Sequence, residues 1–163
     1  MKRNPKCDNR ALVPFWGVSM VEEEKIFKMM VPTAGPFSAH RNARYIVRMA
    51  HRLSADVLVV HIRDKGESRE GGDEALDIFG EEARMVGMTI EKIPAVGEVS
   101  QTIIELAKFH EVDLIVLGAT RGRSVSRWVI DTIINKTDIP VVLIPWNFDV
   151  SQMDSIHIED VQV

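Results

Sequence analysis

The chain has 163 residues, of which 45% are hydrophobic and 27% are charged, and its formal net charge is -4. This length predicts a single domain with a sizeable buried core, and the composition is ordinary for a globular protein. The negative charge argues against a nucleic-acid partner, and no apolar run approaches the roughly 18 residues that a membrane span needs.

The ends of the chain differ in composition from its middle. Residues 1–24 combine prolines with a glutamate run and lack sustained periodicity, which predicts a tail or linker. Residues 146–163 contain acidic side chains but no Lys or Arg, so we expect an acidic C-terminal tail. The single cysteine, Cys7, excludes an intrachain disulfide and a thiolate metal site. Because no signal-peptide pattern is visible, we expect a cytoplasmic protein whose folded domain spans residues 25–145.

Strand and helix signals alternate along this predicted domain. The apolar run 26–32 predicts a first strand, and Ser38 is expected to cap the helix that follows its Pro- and Gly-containing turn. The near-continuous apolar run 56–62 predicts a strand that is buried on both faces. A polar loop over residues 64–72 then leads to a second helix with apolar residues at helical spacing.

The alternation continues to the end of the domain. Residues 88–93 predict a third strand, and Gly97 opens a third helix. The side chains expected on the buried face of this helix are Val99, Ile103, Leu106 and Ala107. A fourth strand is predicted at 114–117, a helix over roughly 125–136, and a fifth strand at 141–144. This succession predicts an α/β fold, a doubly wound, five-stranded parallel sheet with helices on both faces.

In such sheets, ligands bind beyond the carboxyl ends of the strands, where the strand order reverses. If the first and fourth strands are neighbours there, the turns 32–36 and 118–124 form the candidate site. The second turn follows an apolar strand and contains Gly118 and Gly122. These glycines would allow the backbone to approach a phosphate closely. Alternatively, Gly118 relieves crowding at the strand end and Gly122 supplies a positive φ in the turn.

Charged and aromatic side chains near this turn also leave alternatives open. Three arginines lie beside the start of the fourth helix: Arg121, Arg123 and Arg127. They fit a phosphate-binding cluster or a solvated face. His61 has no nucleophilic or acidic partner identifiable in the sequence, so we expect a packed histidine and no catalytic residue. Trp128 and Trp146 are expected to pack or to lie at a dimer edge.

With these elements placed, the chain resembles the universal stress protein family from about residue 26 to residue 145. The segments that carry the resemblance are Val31-Pro32-Thr33 with Ser38, Val59-Val60-His61-Ile62, Gly97-Glu98-Val99, Asp113–Gly118 and Ile139–Leu143. The resemblance implies a Rossmann-like domain of the adenine nucleotide alpha hydrolase type, with strand order 3-2-1-4-5. It also implies a homodimer that pairs through the last strand, by way of Val141, Val142, Leu143 and Ile144.

Many members of this family bind ATP, so the resemblance implies a site for ATP or AMP and none for a metal. The cofactor-binding positions that it implies are Pro32, Thr33, Ala34, Ile62, Gly118, Gly122, Arg123 and Ser124. The adenine is expected against Thr33 and Ile62, and the phosphates near the turn 118–124.

The chain departs from the pattern of the ATP binders at two places. Ala34 stands where they have an Asp, so a carboxylate acceptor is missing. Their segment G-x2-G-x9-G-[ST] is contracted here, and two alignments remain open. The final Gly-Ser pair falls on Arg127-Trp128, or Gly122-Arg123-Ser124 is a shortened remnant of the phosphate loop. On either alignment, adenine-nucleotide binding is expected to be weak, altered or lost.

These features predict a dimeric binding or regulatory module in the stress response, and not an enzyme. A second hypothesis is a cytosolic regulatory domain of a membrane transporter, because some transporters resemble the chain in the Pro-rich turn 32–36. The regulated protein or transporter is not identified by the sequence. A slow ATPase ranks last, because neither an intact phosphate loop nor a metal-binding carboxylate is visible.

Overall fold

The computed structural model describes residues 26–118 and 127–145. The elements, in chain order, are β1 (Lys28–Thr33), α1 (Pro36–Arg52), β2 (Asp56–Arg63), α2 (Glu70–Met85), β3 (Glu91–Val96), α3 (Val99–Phe109), β4 (Leu114–Gly118), α4 (Arg127–Lys136) and β5 (Val141–Ile144). The five strands form one parallel sheet in the order β3-β2-β1-β4-β5, which confirms the predicted fold class. The predicted tails, 1–24 and 146–163, lie outside the described residues.

Two hydrophobic clusters cover the two faces of the sheet. Along β1, Met29 and Val31 pack with α1 and α2, whereas Met30 between them packs with α3 and α4. This alternation follows from the two-residue period of a strand, and it explains why β1 and β2 read as continuous apolar runs. Among the described residues, no helix combines the length and the apolar character that are needed to cross a membrane.

The third strand is the element whose predicted position is wrong. It spans Glu91–Val96 and not 88–93, because its inward-facing side chains are Ile93 and Ala95. Ile90 packs against the other face from the loop before the strand. The strand also contains Pro94, which lacks an N–H but is tolerated because β3 lies at the edge of the sheet.

The predicted starts of two helices also need correction. Helix α1 starts at Pro36 with Gly35 as its N-cap, so Ser38 lies in the first turn, where its Oγ accepts a hydrogen bond from Asn42. A proline at the first helical position has a preset φ, which favours this earlier start. Helix α2 starts at Glu70, and its first turn includes two glycines that were assigned to the preceding loop.

Helix α3 buries only part of its predicted apolar face. Ile103 and Ala107 are buried as predicted, and Leu106 is half-buried. Val99 is 37% exposed, because it is the first residue of the helix and lines the cleft at the carboxyl ends of the strands. The prediction that Val99 belongs to the core is therefore wrong.

Candidate functional site

A cleft of about 740 Å³ lies beyond the carboxyl ends of β1, β2 and β4. Its walls include the turn 32–36, the strand end 60–62 and, on the other side, Leu117, Val99 and Trp128. Strands β1 and β4 are neighbours, but the helices that follow them cover opposite faces of the sheet. The cleft therefore lies at the reversal of strand order, where doubly wound sheets bind ligands.

The structure brings together four of the eight predicted binding residues. The four that line the cleft are Pro32, Thr33, Ala34 and Ile62. In the described part of the chain Gly118 does not line it, although the preceding residue Leu117 does. The remaining three, Gly122, Arg123 and Ser124, lie outside the described residues, as does Arg121.

Gly118 packs closely against the side chain of Asn42 on α1. A Cβ added at Gly118 would clash with the amide nitrogen of Asn42 and would lie 2.8 Å from its Cγ. Asn42 is 8% exposed, and its amide group donates a 3.5 Å hydrogen bond to Ser38 Oγ. A side chain at residue 118 would therefore push against a buried polar pair.

His61 connects three elements at the cleft. Its Nδ1 lies 3.0 Å from the carbonyl oxygen of Thr33, and because a carbonyl only accepts, this nitrogen carries the proton. The ring also lies against the backbone of Gly72, where an added Cβ would come within 2.9 Å of Nε2 and 3.1 Å of Cγ. The imidazole is half-buried and lines the cleft, so it fixes the ends of β1 and β2 against α2.

Glu98 caps helix α3 at the edge of the cleft. Its carboxylate accepts hydrogen bonds from the backbone N–H groups of Ser100 at 3.0 Å and Gln101 at 2.7 Å, and from the Ser100 hydroxyl at 2.9 Å. Desolvation raises the pKa of Glu98, but these hydrogen bonds and the charge of Lys136 outweigh it, and the pKa lies below its usual value. Glu98 is therefore an ionised carboxylate at the helix N-terminus.

Two more carboxylates line the cleft from the loop after β2. The backbone N–H of Asp64 donates to the carboxylate of Glu67 at 2.9 Å, and Arg63 donates to the Glu67 carbonyl at 2.9 Å. With Glu98, the described lining thus contains three acidic residues and neither Lys nor Arg. These carboxylates are absent from the predicted site, although the position of Asp64 directly after a parallel strand was an available signal.

Trp128 lines the cleft and is not packed in the core, which was one of its two expected positions. It is 54% exposed, whereas the next residue, Val129, is 5% exposed and packs against the sheet. Trp128 and Val99 thus present apolar surface to the cleft at the starts of α4 and α3. Trp146 lies outside the described residues. Within the described ranges, no three His, Cys, Asp or Glu side chains are grouped so that they could hold a metal ion.

Comparison with known proteins identifies the family and the solved structures that this chain matches. The model of the universal stress protein family matches residues 25–145. A universal stress protein in complex with cAMP is 22% identical, with a TM-score of 0.61 over 74% of this chain and 97% of that one. A universal stress protein from Archaeoglobus fulgidus in complex with dAMP is 23% identical, with a TM-score of 0.57 over 72% of this chain and 96% of that one.

UspA from Lactobacillus plantarum is similar to the same extent. It is 22% identical, with a TM-score of 0.59 over 72% of this chain and 97% of that one. At these identities the likeness establishes the fold alone. None of the curated proteins compared with the chain matches it.

Proposed function

The chain belongs to the universal stress protein family, and from this we propose that it is a homodimeric regulatory module that binds an adenine nucleotide weakly and does not act as an enzyme. The observation that supports this proposal is the convergence of Pro32, Thr33, Ala34 and Ile62 on one cleft at the carboxyl edge of the sheet. Two relatives of the same fold are in complex with cAMP and dAMP, which makes an adenine compound the first ligand to test.

The expected weakness comes from Ala34. It is exposed and lines the cleft, but a methyl group cannot accept a hydrogen bond from a ligand. Loss of one hydrogen bond to a charged group costs about 1–3 kcal/mol, which weakens a nucleotide without preventing its binding. The adenine would rest against Ile62 and Thr33, as the family resemblance implies.

We expect titration calorimetry to detect AMP binding that becomes tighter when Ala34→Asp restores the carboxylate. A gain of about tenfold corresponds to one such hydrogen bond. Thr89→Asp is the control, because it adds the same charge at an exposed position outside the cleft. Absence of heat with millimolar AMP, for the unchanged chain and for Ala34→Asp alike, would refute adenine binding in this cleft.

The proposed dimer would form through β5. Of its four predicted contact residues, Val142 is 39% exposed and Leu143 is 50% exposed, whereas Ile144 is buried in the core of its own chain and Val141 is half-buried. The opposite edge strand, β3, contains Pro94, and natural sheets use proline at edges to prevent edge pairing. This difference between the edges supports β5 as the strand that pairs.

Leu143→Lys is expected to convert the dimer to a monomer. Pairing of two β5 strands would bury the charged lysine in the interface, which opposes the pairing. Sedimentation velocity at several concentrations measures the change in mass. The control is Val96→Lys, which places the same side chain on the other edge strand at a residue that is 45% exposed. A monomeric parent chain, or a dimer that survives Leu143→Lys and separates with Val96→Lys, would overturn the assignment.

A further inference from the structure

The outward face of helix α1 carries a row of four arginines. Arg41, Arg44, Arg48 and Arg52 follow one another at spacings of three or four residues, which places them on one side of the helix. This arginine face lies opposite the apolar side of α1, whose residues are buried in the core. We propose that the arginine face is the docking site of the acidic segment 146–163 of the same chain. Such docking does not require a ligand in the cleft.

The arginine face has no counter-charge within its own helix. Helix α1 contains no Asp or Glu, so its four arginines stand beside one another without an acidic residue between them. Arg41, Arg44 and Arg52 are exposed, and Arg48 is half-buried. Like charges at these spacings repel one another and destabilise a helix. An anionic partner along the face would remove this repulsion.

The neighbouring acidic helix α2 directs part of its negative charge elsewhere. This helix packs beside α1 in the same hydrophobic cluster. Its Asp77 pairs with Lys92 on β3 at 2.8 Å, and its Glu81 lies 3.9 Å from Arg84 of α2 itself. These two carboxylates therefore do not balance the charge of the arginine face, which favours an acidic partner from another part of the chain.

The segment 146–163 follows β5 at a point close to α1. Ile144, the last residue of β5, pairs with Gly118 on β4, and Gly118 packs against Asn42 in the first half of α1. Neighbouring strands lie about 4.8 Å apart, so β5 ends one strand away from this contact. The 17 residues of α1 extend over about 25 Å, a length that about eight residues of extended chain cover. The segment is therefore long enough to reach every arginine of the face.

The segment 146–163 also complements the arginine face chemically. It has no Lys or Arg, and its four acidic residues equal the four arginines in number. These acidic residues are Asp149, Asp154, Glu159 and Asp160. Exposed ion pairs contribute little one by one, but several along one face act together as a network. Phe37 begins the same side of α1, is 61% exposed and offers an apolar contact for Trp146 or Phe148.

The other acidic run of the chain, Glu22–Glu24, fits the arginine face less well. Residues 1–24 contain four basic and four acidic side chains, so the side chains of this segment carry no net charge. The segment also precedes β1 at the amino edge of the sheet, whereas Arg41 and Arg44 lie towards the carboxyl edge, where α1 begins. The charges and the topology therefore favour the segment 146–163.

Paramagnetic relaxation in NMR tests the docking in the full chain. A nitroxide is attached to Ser155→Cys in a Cys7→Ser background, and the amide signals of α1 are compared with those of α3 on the other face of the sheet. We expect selective broadening of α1. It should weaken as salt rises from 0.1 M to 1 M, because the Debye length falls from about 10 Å to about 3 Å. Absence of broadening in α1 would overturn the proposal.

Reversal of charge on α1 tests whether the arginines hold the segment. Arg41→Glu combined with Arg44→Glu should lower the ratio of docked to undocked chains by about threefold or more. Lys65→Glu combined with Lys108→Glu is the control, because it makes the same change of net charge at exposed positions outside α1. Equal losses of broadening with the two pairs would show a general effect of net charge and would contradict docking on the arginine face.

Three further measurements identify the occupant. Asp149→Arg with Asp154→Arg, added to the reversed arginine pair, should restore the broadening. A nitroxide at Ser19→Cys should broaden α1 less than the one at Ser155→Cys. The reverse order would assign the face to Glu22–Glu24 and overturn the proposal. Exchange of subunits with an excess of unlabelled, unenriched chains should leave the broadening unchanged, and its loss would assign the contact to a partner copy and overturn the proposal as well.

Discussion

Gly72→Ala is expected to destabilise the protein, whereas the same substitution at the adjacent Gly71 should stabilise it by up to about 1 kcal/mol. Alanine is favoured over glycine in helices, and both residues lie in the first turn of α2. At Gly71 an added Cβ would meet only Pro36 Cδ, at an ordinary 3.8 Å. At Gly72 it would overlap the imidazole of His61, and such overpacking costs about 1–3 kcal/mol.

His61 cannot simply move away from a new methyl group at residue 72. Its Nδ1 is bound to the Thr33 carbonyl at 3.0 Å, so displacement of the ring breaks a hydrogen bond at the cleft. Urea unfolding of both alanine variants measures the change in the free energy of unfolding, which should rise for Gly71→Ala and fall for Gly72→Ala. Removal of the ring by His61→Ala should make Gly72→Ala nearly harmless. Equal destabilisation by Gly71→Ala and Gly72→Ala would contradict the assigned contact.

The sequence predicts the central strands well because burial on both faces leaves a continuous apolar run. Met29, Met30 and Val31 are all apolar because adjacent residues face different cores. The edge strand β3 has only one apolar face, formed by Ile93 and Ala95, so its signal is weak. The prediction took Ile90 and Ile93 as strand residues and therefore started the strand too early. In the structure Ile90 packs from the loop before β3.

The candidate site is predicted less completely, because its walls join residues that are distant along the chain. The family resemblance leads to Thr33 and Ile62, whose neighbouring positions in the sheet follow from strand order. No local pattern reveals that Glu98, Asp64 and Trp128 line one cleft. Such juxtapositions depend on where each helix starts, and helix starts are among the parts of the prediction that needed correction.

The two interpretations of Gly118 lead to different results for Gly118→Ala. If the glycine is needed because the strand end is crowded, the substitution should destabilise the fold by about 1–3 kcal/mol and leave AMP affinity unchanged. Crowding by the buried Asn42 and the position of Gly118 outside the cleft lining support this outcome. If the glycine is needed for approach of a phosphate, affinity should fall while stability is kept.

A double-mutant cycle with Asn42→Ala separates these outcomes. Because the added methyl group would occupy the space of the Asn42 amide, Gly118→Ala should cost clearly less when residue 42 is alanine. Contacting residues of this kind couple by about 0.5–3 kcal/mol, a range that urea unfolding resolves. Additive costs would show that Asn42 is not the obstacle. A loss of AMP affinity without loss of stability would instead place Gly118 in the phosphate site.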